Sequence, residues 1–206
     1  LLLGSITDKD RLEMAGEDVD IIIHTAAVKN IEITEFNALD TIDVNVNGTM
    51  NMIKMALKIK PELFLNISTD KAADAATLYG NTKQLGERLI TWAGMHIHSS
   101  KFGSVRFGNV IESRGNVFEI WAEEANNNKP LSITDPTMSR YFFHVDEAVS
   151  FILISLLKIN RGEVIVPKMK LHNIKDLSMK FSKHHKIIGK RPGEKNDEIL
   201  ITQSEL

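Results

Sequence analysis

Apolar positions along the chain follow two alternating spacings. Val19–His24 and Leu63–Ser68 are short runs dominated by β-branched, Leu and Phe residues, the pattern of strands buried in a parallel sheet. Lys101–Phe107 reads as a further strand, and Leu1–Ile6 as another at the start. Between the runs, apolar residues recur at helical intervals. This predicts helices over Asp8 to about Glu17, with Thr7 or Asp8 as cap, Phe36 to about Lys58, Tyr79 to about Trp92, and Val117 to about Asn126. Strand alternating with helix is the order of an α/β doubly wound parallel sheet. The texture changes after Lys129-Pro130. A strand and turn over Leu131–Pro136, a helix over Asp146 to about Lys158, a strand at Val164–Val166, a helix over Ile174–Phe181 and a strand at Lys186–Ile188 suggest a smaller second region. The expected division is therefore residues 1–130 and 131–206.

Composition narrows the function classes. The chain has 206 residues, 43% hydrophobic and 25% charged, with a net charge of −2. That balance fits one large or two small globular domains and gives no sign of a nucleic-acid or membrane-surface binder. Cysteine is absent, which excludes disulfides and thiol catalysis and makes a reducing cytoplasm the simplest home. The apolar run Phe151–Leu157 is far too short to span a bilayer, so no membrane segment is evident. His184-His185 sits among lysines, a setting for solvated rather than metal-ligating histidines, and no metal is expected.

The candidate chemistry lies at the end of the strand Leu63–Ser68. There Thr69-Asp70-Lys71 is followed by Tyr79 and Lys83, four apart on one predicted helix face. Open α/β sheets bind ligands at the C-terminal ends of their strands. A phenol beside a fixed ammonium ionises more easily, which turns a group of ordinary pKa about 10 into a proton acceptor. Asp70 and Lys71 add a second acid and base. The plainer readings are a chance Tyr-x-x-x-Lys, a Ser-Thr-Asp helix cap, and a surface salt bridge from Lys71 to Asp70 or Asp74.

These residues, with His24–Lys29, Asn45–Gly48, Val105–Val110, Ser113–Val117, Ile133–Pro136, Ser139-Arg140 and Arg191–Lys195, resemble the extended short-chain dehydrogenase/reductases. Within them the chain is similar to the inverting UDP-N-acetylglucosamine 4,6-dehydratases of capsule and flagellin-glycan synthesis; Lys71, where many relatives carry Glu, points to that subgroup. The resemblance implies a Rossmann-like NAD(P)-binding domain and a substrate region. It implies catalytic roles for Thr69, Asp70, Lys71, Tyr79 and Lys83, with Lys83 depressing the Tyr79 pKa, Lys71 as a neutral base and Asp70 as an acid. Ser5, Ile6, Ala26, Ala27, Lys29, Ser68, Tyr79 and Lys83 would contact NADP or NAD. Asn109, Arg114, Arg140, Arg191 and Glu194 would contact a UDP-sugar, arginine forks suiting diphosphate oxygens. Asn45 matches an asparagine that ties down the strand loops. A homo-oligomer is expected through the helices at Phe36–Lys58 and Tyr79–Trp92.

Three departures accompany the match. The family's opening strand and glycine-rich turn are absent, Ser5 stands where an Asp is usual, and Asp197 stands where a His is usual. The absent unit leads to the expectation of roughly 50 to 60 further residues before Leu1, about one βαβα unit. Two rivals remain at this point: a nucleotide-sugar 4-epimerase, and a non-catalytic dinucleotide-binding protein.

Overall fold

Four parallel strands form the main sheet, in the order β1 (Ile21–His24), β2 (Leu63–Thr69), β3 (Lys101–Phe107) and β7 (Val164–Ile165). The computed structural model describes residues 1–113 and 115–206. Side chains alternate across the sheet, so both faces of β2 are apolar. Phe64 joins Ile22 and Phe102 on one face, under α1 (Lys9–Gly16), α4 (Thr49–Ile59) and α5 (Leu78–His96). Leu63 and Leu65 join Val105 and Phe107 on the other, under Phe151, Ile152 and Leu156 of α7 (Val145–Lys158). The segment after residue 130 thus sends a helix and a strand back to the first sheet. At the β1 edge, Ile21 and Ile23 remain 49% and 42% exposed on the α7 face.

A second body packs around Trp121, Leu131, Ile133, Met138 and Ile174. It contains α6 (Val117–Asn126) and α8 (Ile174–Ser178). Its strands are β4 (Asn109–Val110), β6 (Ser139–Phe143) and β8 (Leu171–Asn173) in one sheet, and β5 (Leu131–Ile133) with β9 (His185–Ile187) in another. Sequence periodicity missed β4, β6 and β8, which are short and carry mixed polarity.

Two expected elements differ. Leu1–Ile6 forms no strand: a strand needs a partner for its ladder, and these residues pair with none of the described strands. The helix expected from Phe36 is broken. α2 (Ile31–Phe36) stops at Asn37, α3 (Ala38–Ile42) follows, and Asp43–Gly48 widens into a π-helical turn before α4. The widening coincides with Asn45 reaching sideways. It accepts from Val28 N at 2.8 Å and donates to Val28 O and Thr82 Oγ1, each at 3.0 Å. The amide therefore ties the loop after β1 to α5, as its match to the family asparagine implied.

Candidate active site

The register pairs His24 with Asn66 and Thr69 with Phe107, so the strands end at one edge of the sheet. The chain leaves β2 through a 3-10 turn, Asp70–Ala72, and enters α5 under a Thr77 cap whose side chain accepts from Gly80 N at 3.1 Å. Gly80 permits this approach. A Cβ there would lie 2.5 Å from the Lys71 carbonyl oxygen, closer than any side chain tolerates.

This turn gathers the predicted groups. Asp70 is buried, and its Oδ1 accepts from Thr69 Oγ1 and Lys71 Nζ, both at 2.9 Å. Its other oxygen, Oδ2, is buried without a hydrogen-bond partner, as is Ser68 Oγ. Unpaired buried polar atoms are costly, and at the mouth of a sheet they mark where a ligand would complete the bonding. Tyr79 is hydrogen-bonded to Thr69, and both Lys71 and Asp70 act on it electrostatically. Thr69, Asp70, Lys71 and Tyr79 therefore form one cluster.

The electrostatics revise two expectations. Burial pushes the Tyr79 phenol up, partly offset by the Lys71 cation and the Thr69 hydrogen bond. The cation beside the phenol is thus Lys71, while Lys83 Nζ donates to Ile67 O at 2.6 Å. Burial lowers Lys83 to about 8, with Glu87 opposing. Lys71 is expected as a neutral amine but is held as the ammonium: burial works against the charge, and Asp70, Glu198 and the Asp70 hydrogen bond outweigh it.

Glu198 was missed from sequence. It is buried, with Oε1 3.9 Å from Lys71 Nζ, and burial raises its pKa against the pull of Lys71. No local pattern marks it, because it reaches the turn from the far end of the chain. Gly193 makes that approach possible, with φ +75° and ideal Cβ contacts of 2.8 Å to Thr77 and 2.9 Å to the Ala76 carbonyl.

The other expected residues are distributed more widely. Ala26 is exposed and Ala27 half-buried in the loop after β1, with Lys29 exposed nearby. Ser5 is exposed and bonded to Thr7 at 2.8 Å; Ile6 packs on Gly48 and its carbonyl accepts from Asn51 at 3.2 Å. Asn109 donates to Tyr141 O at 3.1 Å. Arg140 is turned inward, donating to the carbonyls of Ser139 and Lys195 at 2.8 Å and of Asn196 at 2.7 Å. Arg191 Nε lies 3.2 Å from Glu32, and Glu194 stands 3.6 Å from Arg140. Arg114 lies outside the described residues. A cavity of about 440 Å³ opens on the second body, lined by Phe118, Phe142, Lys168, Met169, Lys170 and His172 among others. Met169 Sδ accepts from Gly108 N at 3.2 Å, which places the cavity beside the end of β3.

Comparison with known proteins decides the family. The polysaccharide biosynthesis protein family matches residues 1–206. The chain belongs to that family. Among curated relatives, a membrane protein of Methanocaldococcus jannaschii, described as uncharacterized, is 38% identical over 99% of this chain and 66% of its own length. The inverting UDP-N-acetylglucosamine 4,6-dehydratase of Campylobacter jejuni is 36% identical over 98% and 62%. The UDP-glucose 4-epimerase of Rickettsia bellii is 31% identical over 99% and 62%. The chain thus spans 62–66% of the length of these relatives. Among solved structures, Pen from Bacillus thuringiensis superposes with a TM-score of 0.94 at 32% identity, covering 99% of this chain and 67% of that one. The dTDP-glucose 4,6-dehydratase DesIV of Streptomyces venezuelae, solved with NAD and TYD bound, shares the fold, with a TM-score of 0.85 at 16% identity over 96% of this chain and 69% of that one. The Rossmann-like architecture expected from sequence is therefore established, and two of these curated relatives are named as nucleotide-sugar enzymes, one a dehydratase and one an epimerase.

Proposed function

We propose that the protein is an NAD(P)-dependent nucleotide-sugar 4,6-dehydratase acting on UDP-N-acetylglucosamine or a similar UDP-hexose. The observation that carries this is the pair formed by the buried Asp70 and the half-buried Lys71 beside Tyr79 at the end of β2. C4 oxidation alone needs only the tyrosine and its lysine. A second acid and base beside them are what elimination across C5 and C6 requires.

The residues present fit the nicotinamide end of a dinucleotide. Small Ala26 and Ala27 leave room for close approach, Ser68 has an unpaired hydroxyl, and Lys83 reaches the strand end. Ser5, Ile6 and Lys29 stand at the neighbouring loops on the same reading. NADP or NAD, when bound, supplies the hydride acceptor for C4 and returns that hydride to C6. Tyr79 would first be ionised, favoured by the Lys71 cation and by the positive charge that an oxidised nicotinamide would bring beside it; the phenolate then takes the O4 proton as C4 becomes a ketone, and Thr69 orders that hydroxyl. The C5 proton is then acidic. One proton moved across the 2.9 Å contact from Lys71 to Asp70 converts the ammonium–carboxylate pair into an amine and a carboxylic acid. A substrate that expels water favours this neutral pair, since desolvation penalises both charges. Lys71 then removes the C5 proton, and Asp70 protonates the departing 6-hydroxyl, which leaves as water. The hydride returns to C6 and a proton to C5, giving the 4-keto-6-deoxy sugar. The aromatic and lysine lining of the cavity of about 440 Å³ suits a uridine diphosphate, with Asn109 paired in register to Phe142 of that lining, while Arg191, bonded to Glu32, and Glu194 stand on the side of the Lys71 turn. Arg140 supports that side by holding backbone carbonyls.

Incubation with UDP-N-acetylglucosamine in heavy water tests the reading. A product lighter by one water, carrying deuterium at C5, is expected, and Lys71→Ala abolishes the C5 uptake while cofactor binding persists. Tyr79→Phe lowers turnover by ~10²–10⁴-fold. A C4-inverted product of unchanged mass would instead establish the epimerase reading, which the Rickettsia relative supports.

A further inference from the structure

Residues 191–205 cross the site with almost no regular structure, yet part of this strap is deeply buried: Glu198 is 6% and Leu200 8% exposed. Two buried arginines hold it. Arg140 donates to the carbonyls of Lys195 at 2.8 Å and Asn196 at 2.7 Å. Arg106 donates to Leu200 O at 2.8 Å and to both oxygens of Glu205, at 2.7 and 2.9 Å. Between the two clamps stands Glu198, facing Lys71 across 3.9 Å, while Asp70 holds the same ammonium at 2.9 Å. A buried carboxylate is retained only with compensating charge. The cations acting on Glu198 are Lys71 first, then Arg140 and Lys195, with Asp70 opposing. Neither clamp requires an acid at this position.

We propose that Glu198 is the positioning residue for Lys71: the strap delivers a second carboxylate that fixes the ammonium beside Asp70, over the place where the substrate binds. The inference rests on the reading of Lys71 as the C5 base. Glu198 does not touch the reacting carbon. It sets where the Lys71 ammonium sits and how readily it releases a proton, together with Asp70 and Tyr79, which face the same group. The device also explains why so irregular a segment is anchored by two arginines on either side of one acid.

Competitive acetylation of the cofactor-free protein with trace acetic anhydride, read at the Lys71 peptide across alkaline pH, tests this without turnover. In Glu198→Gln the labelling midpoint falls by about one pH unit, equivalent to about tenfold more labelling at a fixed pH below it. Glu198→Asp, which keeps the charge on a shorter arm, falls between the two. An unmoved midpoint in Glu198→Gln, with only a lower melting temperature, would overturn the proposal and leave Glu198 a strap anchor. Product analysis is scored separately. A shifted midpoint without a water-loss product keeps the pairing and rejects the dehydratase reading; a water-loss product with an unmoved midpoint does the reverse.

Discussion

The two walls of the site are built by different means. The β2–α5 wall is assembled from backbone ladders and apolar burial, and its chemical groups lie within fifteen residues of one another, from Thr69 to Lys83. The opposing wall, residues 191–205, has one backbone bridge, Ser139 to Asp197, and a terminal 3-10 turn, and is otherwise held by arginine side chains donating to its carbonyls and carboxylates. One wall is rigid because its elements pack, the other because buried charges leave it few alternatives. The difference predicts that single substitutions damage the walls to unequal extents and that acid loosens them in different pH ranges.

The strap clamp provides the largest effect. Arg106 is buried and joins Glu87 of α5, at 3.0 and 2.7 Å, to Leu200 O and Glu205. Arg106→Met leaves the Glu87 carboxylate buried without its partner, at a cost of about 3–5 kcal/mol. Urea denaturation measures the loss, and proteolysis confined to residues 191–205 at low denaturant would show where it is felt. A loss under about 1 kcal/mol would mean that the strap does not depend on its arginine, and the contrast between the walls would fail.

The packed wall carries its own acid sensitivity, at His24. Burial, then Lys83, lowers this histidine to about 4, and its ring bonds Thr49 Oγ1 at 3.0 Å. A folded value below the unfolded 6.5 means that the fold favours the neutral ring. That stability is complete above pH 6.5 and drains away as pH falls towards 4, about 3 kcal/mol in all. Denaturation midpoints at a series of pH values should fall through this window and flatten in His24→Gln.

Asn45 gives the next effect. Asn45→Ala strands Val28 N and O, leaves Thr82 Oγ1 with only its bond to Tyr79 O, and costs about 1–3 kcal/mol. Because the amide links the β1 loop to α5, hydrogen exchange should quicken at Val28 and in the first turns of α5 but stay unchanged in the strap. Equal quickening in both walls would show that they are one cooperative unit.

The same contrast explains what the sequence made legible. The strands at Leu63 and Lys101, the helix carrying Tyr79 and Lys83, and the Thr69-Asp70-Lys71 cluster could all be read because each follows from local periodicity or close spacing. Glu198 could not, since its contact with Lys71 spans most of the chain and follows no repeat. Arg140 has the residue type of a diphosphate fork, but tertiary packing turns its donors onto backbone carbonyls far along the chain. The π-helical turn at Asp43–Gly48 was hidden because the apolar spacing of Phe36–Lys58 barely changes when one turn widens. Leu1–Ile6 has the composition of a strand, but composition supplies no pairing partner.

The smallest expected effect separates the walls by pH. Arg106, through its hydrogen bonds, holds the Glu205 carboxyl at about 2, below the 4.5 of an unperturbed glutamate. A depressed folded value contributes stability above pH 4.5 that disappears as pH falls towards 2, the window below that of His24. The Glu205 side chain is 38% exposed, so solvent screening reduces its contribution to about 1 kcal/mol. Between pH 6.5 and 4.5 the packed wall should therefore soften first while the strap remains clamped. Below 4.5 the strap should release, and Glu205→Gln should release it at neutral pH. Exchange measured separately at Ile22–His24 and at Leu200–Thr202 during an acid titration would follow the two walls. If both loosen at one pH, the buried charges and the packed strands share a single transition, and acid cannot free one without the other.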